Sequence, residues 1–141
     1  MTEHAPKTVR VAAGIIWRGG QFLAAKRPEG KARAGYWEFP GGKQESGESM
    51  EETLHRELKE ELEICSGRLQ FMQICRHDYN DISVELHFMH VLDFTGEPKP
   101  NDGQELRWVS PEEARMLPFL PADKGVLAVI RPPEELGSRL P

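Results

Sequence analysis

Cysteine is scarce: Cys65 and Cys75 are the only two in 141 residues. Two thiols cannot build the disulfide framework of a small secreted scaffold, and Cys75 with His77 supplies no four-ligand zinc pattern. The expectation is two free thiols buried in strands, although the count also allows them to pair. Positive charge is in short supply too, with 18 Lys and Arg against 23 Asp and Glu, a net charge of −5. That balance argues against a nucleic-acid polymer as partner, because such binding draws its affinity from neutralising many phosphates. A small polyanion bridged by metal ions remains compatible with it. No apolar run approaches the roughly 20 residues of a membrane span, and the first residues lack a secretory hydrophobic region, so a cytoplasmic protein without a membrane partner is expected. Repeats, linkers and low-complexity segments are absent as well, and 38% hydrophobic residues suffice for a real core. The chain is read as one domain over residues 1–141 with its core at about 8–131.

What is present concentrates in Gly42 to Ile64, GKQESGESMEETLHRELKEELEI. Ser49 followed by Glu52 is a capping-box pair, which predicts a helix start there. Met50, Leu54, Leu58 and Leu62 recur every fourth residue and give that helix one buried stripe. Glu57, Glu60 and Glu61 fall on a neighbouring face at the i, i+3 and i+4 spacing. Carboxylates so placed repel one another by a few tenths of a kcal/mol per pair, a cost that a divalent cation would offset. Hard ions such as Mg²⁺ take oxygen ligands and keep positions open for water and substrate phosphates.

The remaining elements read in order. Thr8–Trp17 is a largely buried strand, and Gly19-Gly20 turns it into a second strand over Gln21–Ala25. Lys26 and Arg27 end that strand, and the polar segment Pro28–Gly35 forms a cationic rim. Tyr36–Gly42, YWEFPGG, is a short aromatic strand running into a glycine turn. A long hairpin is expected from Leu69–His77 and Ile82–Phe94, with His87 and His90 on opposite faces and therefore not a joint metal site. Leu106–Val109 is a strand, Ser110 caps a helix opened by Pro111, and a last helix covers Pro121 to Ile130. Met1–Lys7 and the tail from Pro132 are expected to be loosely ordered. Strands on both sides of a central helix, with a second helix near the end, indicate an α/β fold with a mixed sheet between helices.

The spacing from Gly42 resembles the Nudix box, Gly-x5-Glu-x7-Arg-Glu-U-x-Glu-Glu-x-Gly-U with U aliphatic, at every fixed position but one. Glu63 stands where that family has glycine. The glycine ends the helix in a left-handed conformation that costs another residue about 1 kcal/mol, so the helix is expected to run on or to turn differently here. Beyond the box, VAAGII, YWEFPGGK, SPEEA and FLPAD are similar to the MutT-type branch. The resemblance implies the α/β/α sandwich of the Nudix fold over roughly Val9 to Ile130. It also implies hydrolysis of nucleoside triphosphates to monophosphate and pyrophosphate, dependent on Mg²⁺ with Mn²⁺ as the alternative ion.

By the same resemblance Glu57, Glu60 and Glu61 ligate metal together with the Gly41 carbonyl, Glu48 supports them, and Arg56 orients a ligand carboxylate through a salt bridge. The general base is Glu57 or a loop acid, Asp102 first and Glu105 next. Arg27, Phe39, Lys43 and Asp123 are the candidate substrate-binding residues. Asp123 stands where the branch reads the base edge, and a helix-capping role is equally compatible with its place in the sequence. Removal of 8-oxo-dGTP from the nucleotide pool, a form of DNA repair, is the expected role. Hydrolysis of CTP or 5-methyl-dCTP is the alternative, and a nucleotide-sensing module without turnover is the alternative from a different class. Monomer and homodimer are both compatible with the sequence.

Overall fold

In the computed structural model, which describes residues 8–134, the main sheet is built around β1 (Thr8–Arg18). One edge of β1 pairs in parallel with β7 (Ser83–Val91), from Thr8 opposite Ser83 to Ile16 opposite Val91. The other edge is shared by β4 (Gly41–Lys43) at Val11–Ala13 and β2 (Gln21–Lys26) at Trp17–Arg18, both antiparallel. β2 in turn carries β3 (Trp37–Glu38) and β9 (Glu105–Val109), while β6 (Leu69–Asp78) closes the far edge against β7. The result is a seven-stranded mixed sheet, with a separate two-stranded ribbon of β5 (Cys65–Ser66) and β8 (Phe94–Thr95).

The alternation of side chains along the strands divides the apolar residues between two cores. Ala12, Ile16, Leu23, Met89 and Val91 face helix α1 (Met50–Leu62), whose Leu54, Leu58 and Leu62 are wholly buried against them. Each buried leucine of that stripe contributes roughly 1.5–3 kcal/mol. On the opposite face Ile15, Trp17, Phe22, Phe39, Phe88 and Phe119 pack with α2 (Pro111–Arg115) and α3 (Lys124–Val129). The layers are therefore helix, sheet, helix, the α/β/α arrangement expected.

Several boundaries differ from the expectation. β7 stops at Val91, because Asp93 turns the chain by accepting from the Arg68 backbone N–H (2.8 Å) and its Nε (2.9 Å), so Phe94 belongs to the ribbon. The last helix is two pieces, a 3-10 turn over Pro121–Asp123 and then α3. The glycine pair is part of a strand, not only a turn: Gly41 and Gly42 lie opposite Ala13 and Ala12. Both thiols are free and in strands as expected, but Cys65 is exposed and Cys75 half-buried, because the ribbon and the outer edge strand are covered on one side at most. Residues 1–7 and most of the expected loose tail lie outside the described residues.

Candidate active site

Ser49 starts α1 with both halves of the capping box, its Oγ accepting from the Glu52 N–H (3.0 Å) and Glu52 accepting from the Ser49 N–H (2.8 Å). The other end is a surprise. Glu63 adopts the left-handed conformation itself, at φ 59° and ψ 34°, and its N–H reaches back to the Lys59 carbonyl (3.0 Å). The turn that glycine usually makes is thus retained with a glutamate in it, and α1 stops at Leu62.

Along the exposed flank of α1, Arg56 gathers the acids. Its Nε and Nη2 donate to the two oxygens of Glu48 (2.5 and 3.0 Å), and its Nη1 to Glu57 (2.9 Å) and Glu60 (3.2 Å). Nη2 also donates to the Lys43 carbonyl (2.9 Å), which ties the helix to the glycine strand. Glu48 further accepts from the Thr53 hydroxyl and the Glu45 N–H, and the Arg56 hydrogen bonds foremost hold its carboxyl down at about 2. Glu57 is pushed the other way by burial, against the pull of Arg56.

The glycines are required by close approach. A β-carbon on Gly41 would lie 1.8 Å from the Ala12 carbonyl oxygen, and one on Gly42 would lie 2.4 Å from a carboxylate oxygen of Glu57. Side chains are excluded there, so backbone and carboxylates meet directly. Glu61 uses that proximity, accepting from the Gly41 N–H (3.3 Å). Burial, and then repulsion by Glu38, Asp102 and Glu57, push its carboxyl up to about 8. Among the described residues no three His, Cys, Asp or Glu side chains converge into a ready-made metal cage, and Arg56 and the Gly41 N–H are the partners these acids have.

Beside this bank of acids lies a cavity of about 450 Å³. Of the residues expected from the sequence, Arg27, Phe39, Gly41, Lys43, Glu61, Asp102 and Asp123 all line it. Glu57 adjoins it through Gly42, and Glu60, with a side chain 62% exposed, stays outside with Arg56. Glu105, the second-choice loop acid, is exposed on β9 opposite Lys26 and does not line the cavity.

Two of these side chains have surroundings that their spacing in sequence does not show. The Arg27 guanidinium faces a protein partner: it holds both oxygens of Glu38 (3.0 and 3.1 Å), while its Nε donates to the Ala32 carbonyl (2.7 Å). Asp123 does not cap α3 with its side chain. It is 2% exposed, it accepts from the Phe39 N–H, and its Oδ2 has no hydrogen-bond partner among the described residues. Burial, then the nearby charge of Glu38, hold its carboxyl well above the usual aspartate range.

Glu38, Tyr79 and Gln104 also line the cavity, and pattern reading did not single them out. Glu38 sits within the aromatic segment before the glycines, and its alternation opposite Trp37 and Phe39 was the available signal. Tyr79 accepts from the Ala122 N–H (3.2 Å), a contact between distant loops that no local pattern carries.

An acidic, arginine-ordered helix entered from a glycine strand, beside a cavity within a mixed sheet between helices, defines the class. The NUDIX domain model matches residues 12–129, and the chain belongs to the Nudix family of hydrolases. It is 42% identical to CTP pyrophosphohydrolase of Escherichia coli over 117 residues, 83% of this chain and 87% of that protein. To the 8-oxo-dGTP diphosphatase of Haemophilus influenzae it is 36% identical over 118 residues, 83% of this chain and 87% of that one. A solved MutT structure from work on Aliivibrio salmonicida and Vibrio cholerae superposes with a TM-score of 0.74 at 32% identity, covering 95% of this chain and 100% of that one.

Proposed function

We propose that this enzyme hydrolyses nucleoside triphosphates to monophosphate and pyrophosphate, with cytosine nucleotides as the preferred class. The observation that carries the reading is one cavity bounded by both Gly41 with Glu61 and the buried Asp123. A triphosphate and a base thus have adjoining places to bind.

The donor set fits a hard divalent cation. Glu57, Glu60, Glu61 and the Gly41 carbonyl offer only oxygen; burial, and then repulsion by Glu38, Asp102 and Glu57, raise Glu61, and a cation would offset that repulsion. Mg²⁺, with Mn²⁺ as the alternative, would be held by these groups, and when bound it neutralises the charge of the triphosphate. The chain's own residues do the rest. Arg56 keeps Glu48 ionised and orients both Glu48 and Glu57. Lys43 and Lys31 on the cavity rim offer further positive charge to phosphate. Asp102 lines the cavity near Glu61 and is the proposed acceptor of the proton from the attacking water, since Glu57 has Oε2 committed to Arg56.

Asp123 is the proposed base reader. In its ionised form, which an approaching N–H donor favours against burial, the unpartnered Oδ2 accepts from the exocyclic amine of cytosine, and the 42% identical relative carries a CTP pyrophosphohydrolase name. A second reading, 8-oxo-dGTP as substrate in nucleotide-pool sanitising, is supported by the 36% identical relative, and the N–H groups of an oxidised guanine also suit a carboxylate.

The test is pyrophosphate release with Mg²⁺ from CTP, 5-methyl-dCTP, 8-oxo-dGTP, dGTP and dATP. A tenfold or greater kcat/KM preference for the cytosine nucleotides supports the first reading, about 1.4 kcal/mol of discrimination. The same preference for 8-oxo-dGTP over dGTP establishes the second, and release from none of them leaves a nucleotide-binding module without turnover. In ¹⁸O-water, attack at the β phosphorus places the label in pyrophosphate; label in the monophosphate overturns that position of attack.

A further inference from the structure

The loop that carries Asp102 is anchored at both ends. On one side it is laced to the last turn of α1: the Asn101 N–H donates to the Glu61 carbonyl (3.2 Å), Asn101 Nδ2 to the Glu60 carbonyl (3.0 Å) and the Lys99 N–H to the Leu62 carbonyl (2.9 Å). On the other side it runs into β9, paired from Glu105 opposite Lys26, and the Asp102 N–H itself donates to the amide oxygen of Gln104 (3.0 Å). Because that backbone group can only donate, the atom it meets must be the amide oxygen, which assigns the orientation of the amide and leaves Nε2 as the free end.

That free end is unusual. Gln104 is 7% exposed and lines the same cavity as Glu61 and Asp123, yet its Nε2 has no hydrogen-bond partner among the described residues. A buried amide donor without an acceptor destabilises the fold, a cost that a leucine or methionine filling the same space would not carry. Asp123 Oδ2 is the other such atom in this cavity. One can only donate and the other is a carboxyl oxygen, so the pair presents complementary chemistry to a single polar ligand.

We propose that Gln104 is a positioning residue shared between substrate and loop: its Nε2 donates to an acceptor atom of the bound nucleotide while its oxygen holds Asp102 in place. The inference rests on the proposed hydrolysis of nucleoside triphosphates. It adds that nucleotide binding and placement of the loop acid depend on opposite ends of one amide. The acceptor is an oxygen or ring nitrogen of the substrate, on the base or on the sugar-phosphate part.

Two variants separate the ends. Gln104→Glu keeps an acceptor for the Asp102 N–H and loses the donor when ionised, so it is assayed on the alkaline side, because burial beside Asp102 favours the protonated form. Gln104→Met has similar bulk and keeps neither. With CTP and dGTP as substrates, Gln104→Glu is expected to raise KM about fivefold or more with kcat within twofold of the parent, the scale of one lost hydrogen bond. Gln104→Met is expected to raise KM similarly and also to lower kcat about tenfold. A KM rise that differs tenfold between CTP and dGTP places the acceptor on the base, and an equal rise places it on the sugar-phosphate part; both support the inference. KM unchanged within twofold in both variants overturns it, as does a kcat loss in Gln104→Glu equal to that in Gln104→Met. Thermal unfolding checks that each variant is folded, and if Gln104→Met is not, Gln104→Glu alone decides. If the parent releases pyrophosphate from no triphosphate, the functional reading itself fails; a parent that turns over while both variants keep its KM sinks only this inference.

Discussion

The flank of α1 and the inner wall of the cavity both hold carboxyl groups, and they are treated oppositely. On the flank Glu48 is fully partnered: two Arg56 nitrogens, the Thr53 hydroxyl and the Glu45 N–H donate to it. At the inner wall Asp123 and Gln104 are buried with an atom unpartnered on each. A satisfied network fixes geometry, because every alternative breaks hydrogen bonds. An unsatisfied pair holds back binding energy that only a ligand of matching polarity recovers. The molecule thus separates a rigid bank of acids, suited to chemistry common to all triphosphates, from an incomplete wall suited to choosing among them.

The sharpest way to break this contrast is Glu61→Gln. Removing a charge from the acid bank should lower kcat/KM by about a thousandfold or more on every nucleotide alike while the protein stays folded. A variant of near-normal rate would end the assignment of Glu61 to the chemistry. Next in size is Arg56→Ala, which leaves Glu48, Glu57 and Glu60 without their common partner; activity should fall about 10–100-fold. Arg56→Lys should recover only part of it, because an ammonium cannot span both oxygens of Glu48 as the guanidinium does. Full recovery in the lysine variant would show that charge alone, without the fork, sets the bank.

At the inner wall Asp123→Asn should change the preference between cytosine and guanine nucleotides by about tenfold while the rate on the better substrate stays within that factor. The same variant tests the electrostatics. A carboxyl whose folded pKa is raised binds its proton more tightly folded than unfolded, so the parent loses stability as pH rises from the ordinary aspartate range towards the folded value. The stability of Asp123→Asn relative to the parent should therefore grow over that interval in denaturant titrations, and a pH-independent difference would contradict the burial of an ionisable group. The smallest effect is Glu63→Gly, which lies in neither region. It should stabilise the fold by about 1 kcal/mol by relieving the left-handed glutamate, with kcat/KM unchanged. A loss of activity there would mean that the helix end, and not only its flank, takes part.

The helix and its acids were legible because the interactions that build them are local. Ser49 and Glu52, the leucine stripe and the Arg56-Glu57-Glu60-Glu61 set all act within a turn or two, so spacing in sequence is spacing in space. The sheet alternation, both hairpins and the Ser110 cap were legible for the same reason. Where local rules were applied to a residue held by something distant, they failed. Glu63 takes the glycine conformation because the packing of α1 and Ile64 on either side requires the chain to turn there. Cys65 was expected to be a buried thiol in a strand, but its strand pairs only with β8, off the main sheet.

By itself, then, the sequence determined an acidic capped helix behind a glycine pair, the strands around it, and the family to which such a helix belongs. Only the tertiary structure decided which side chains share the cavity. Arg27 is turned to Glu38, Asp123 is brought 2% exposed against the Phe39 N–H, and Gln104 is set between Asp102 and the cavity by contacts that join the β2–β3 region, the β9 edge and the turn before α3. The physical reason is range. Capping and stripe periodicity are decided within a few residues, whereas desolvation and the presence or absence of a hydrogen-bond partner depend on segments that meet only when the sheet closes.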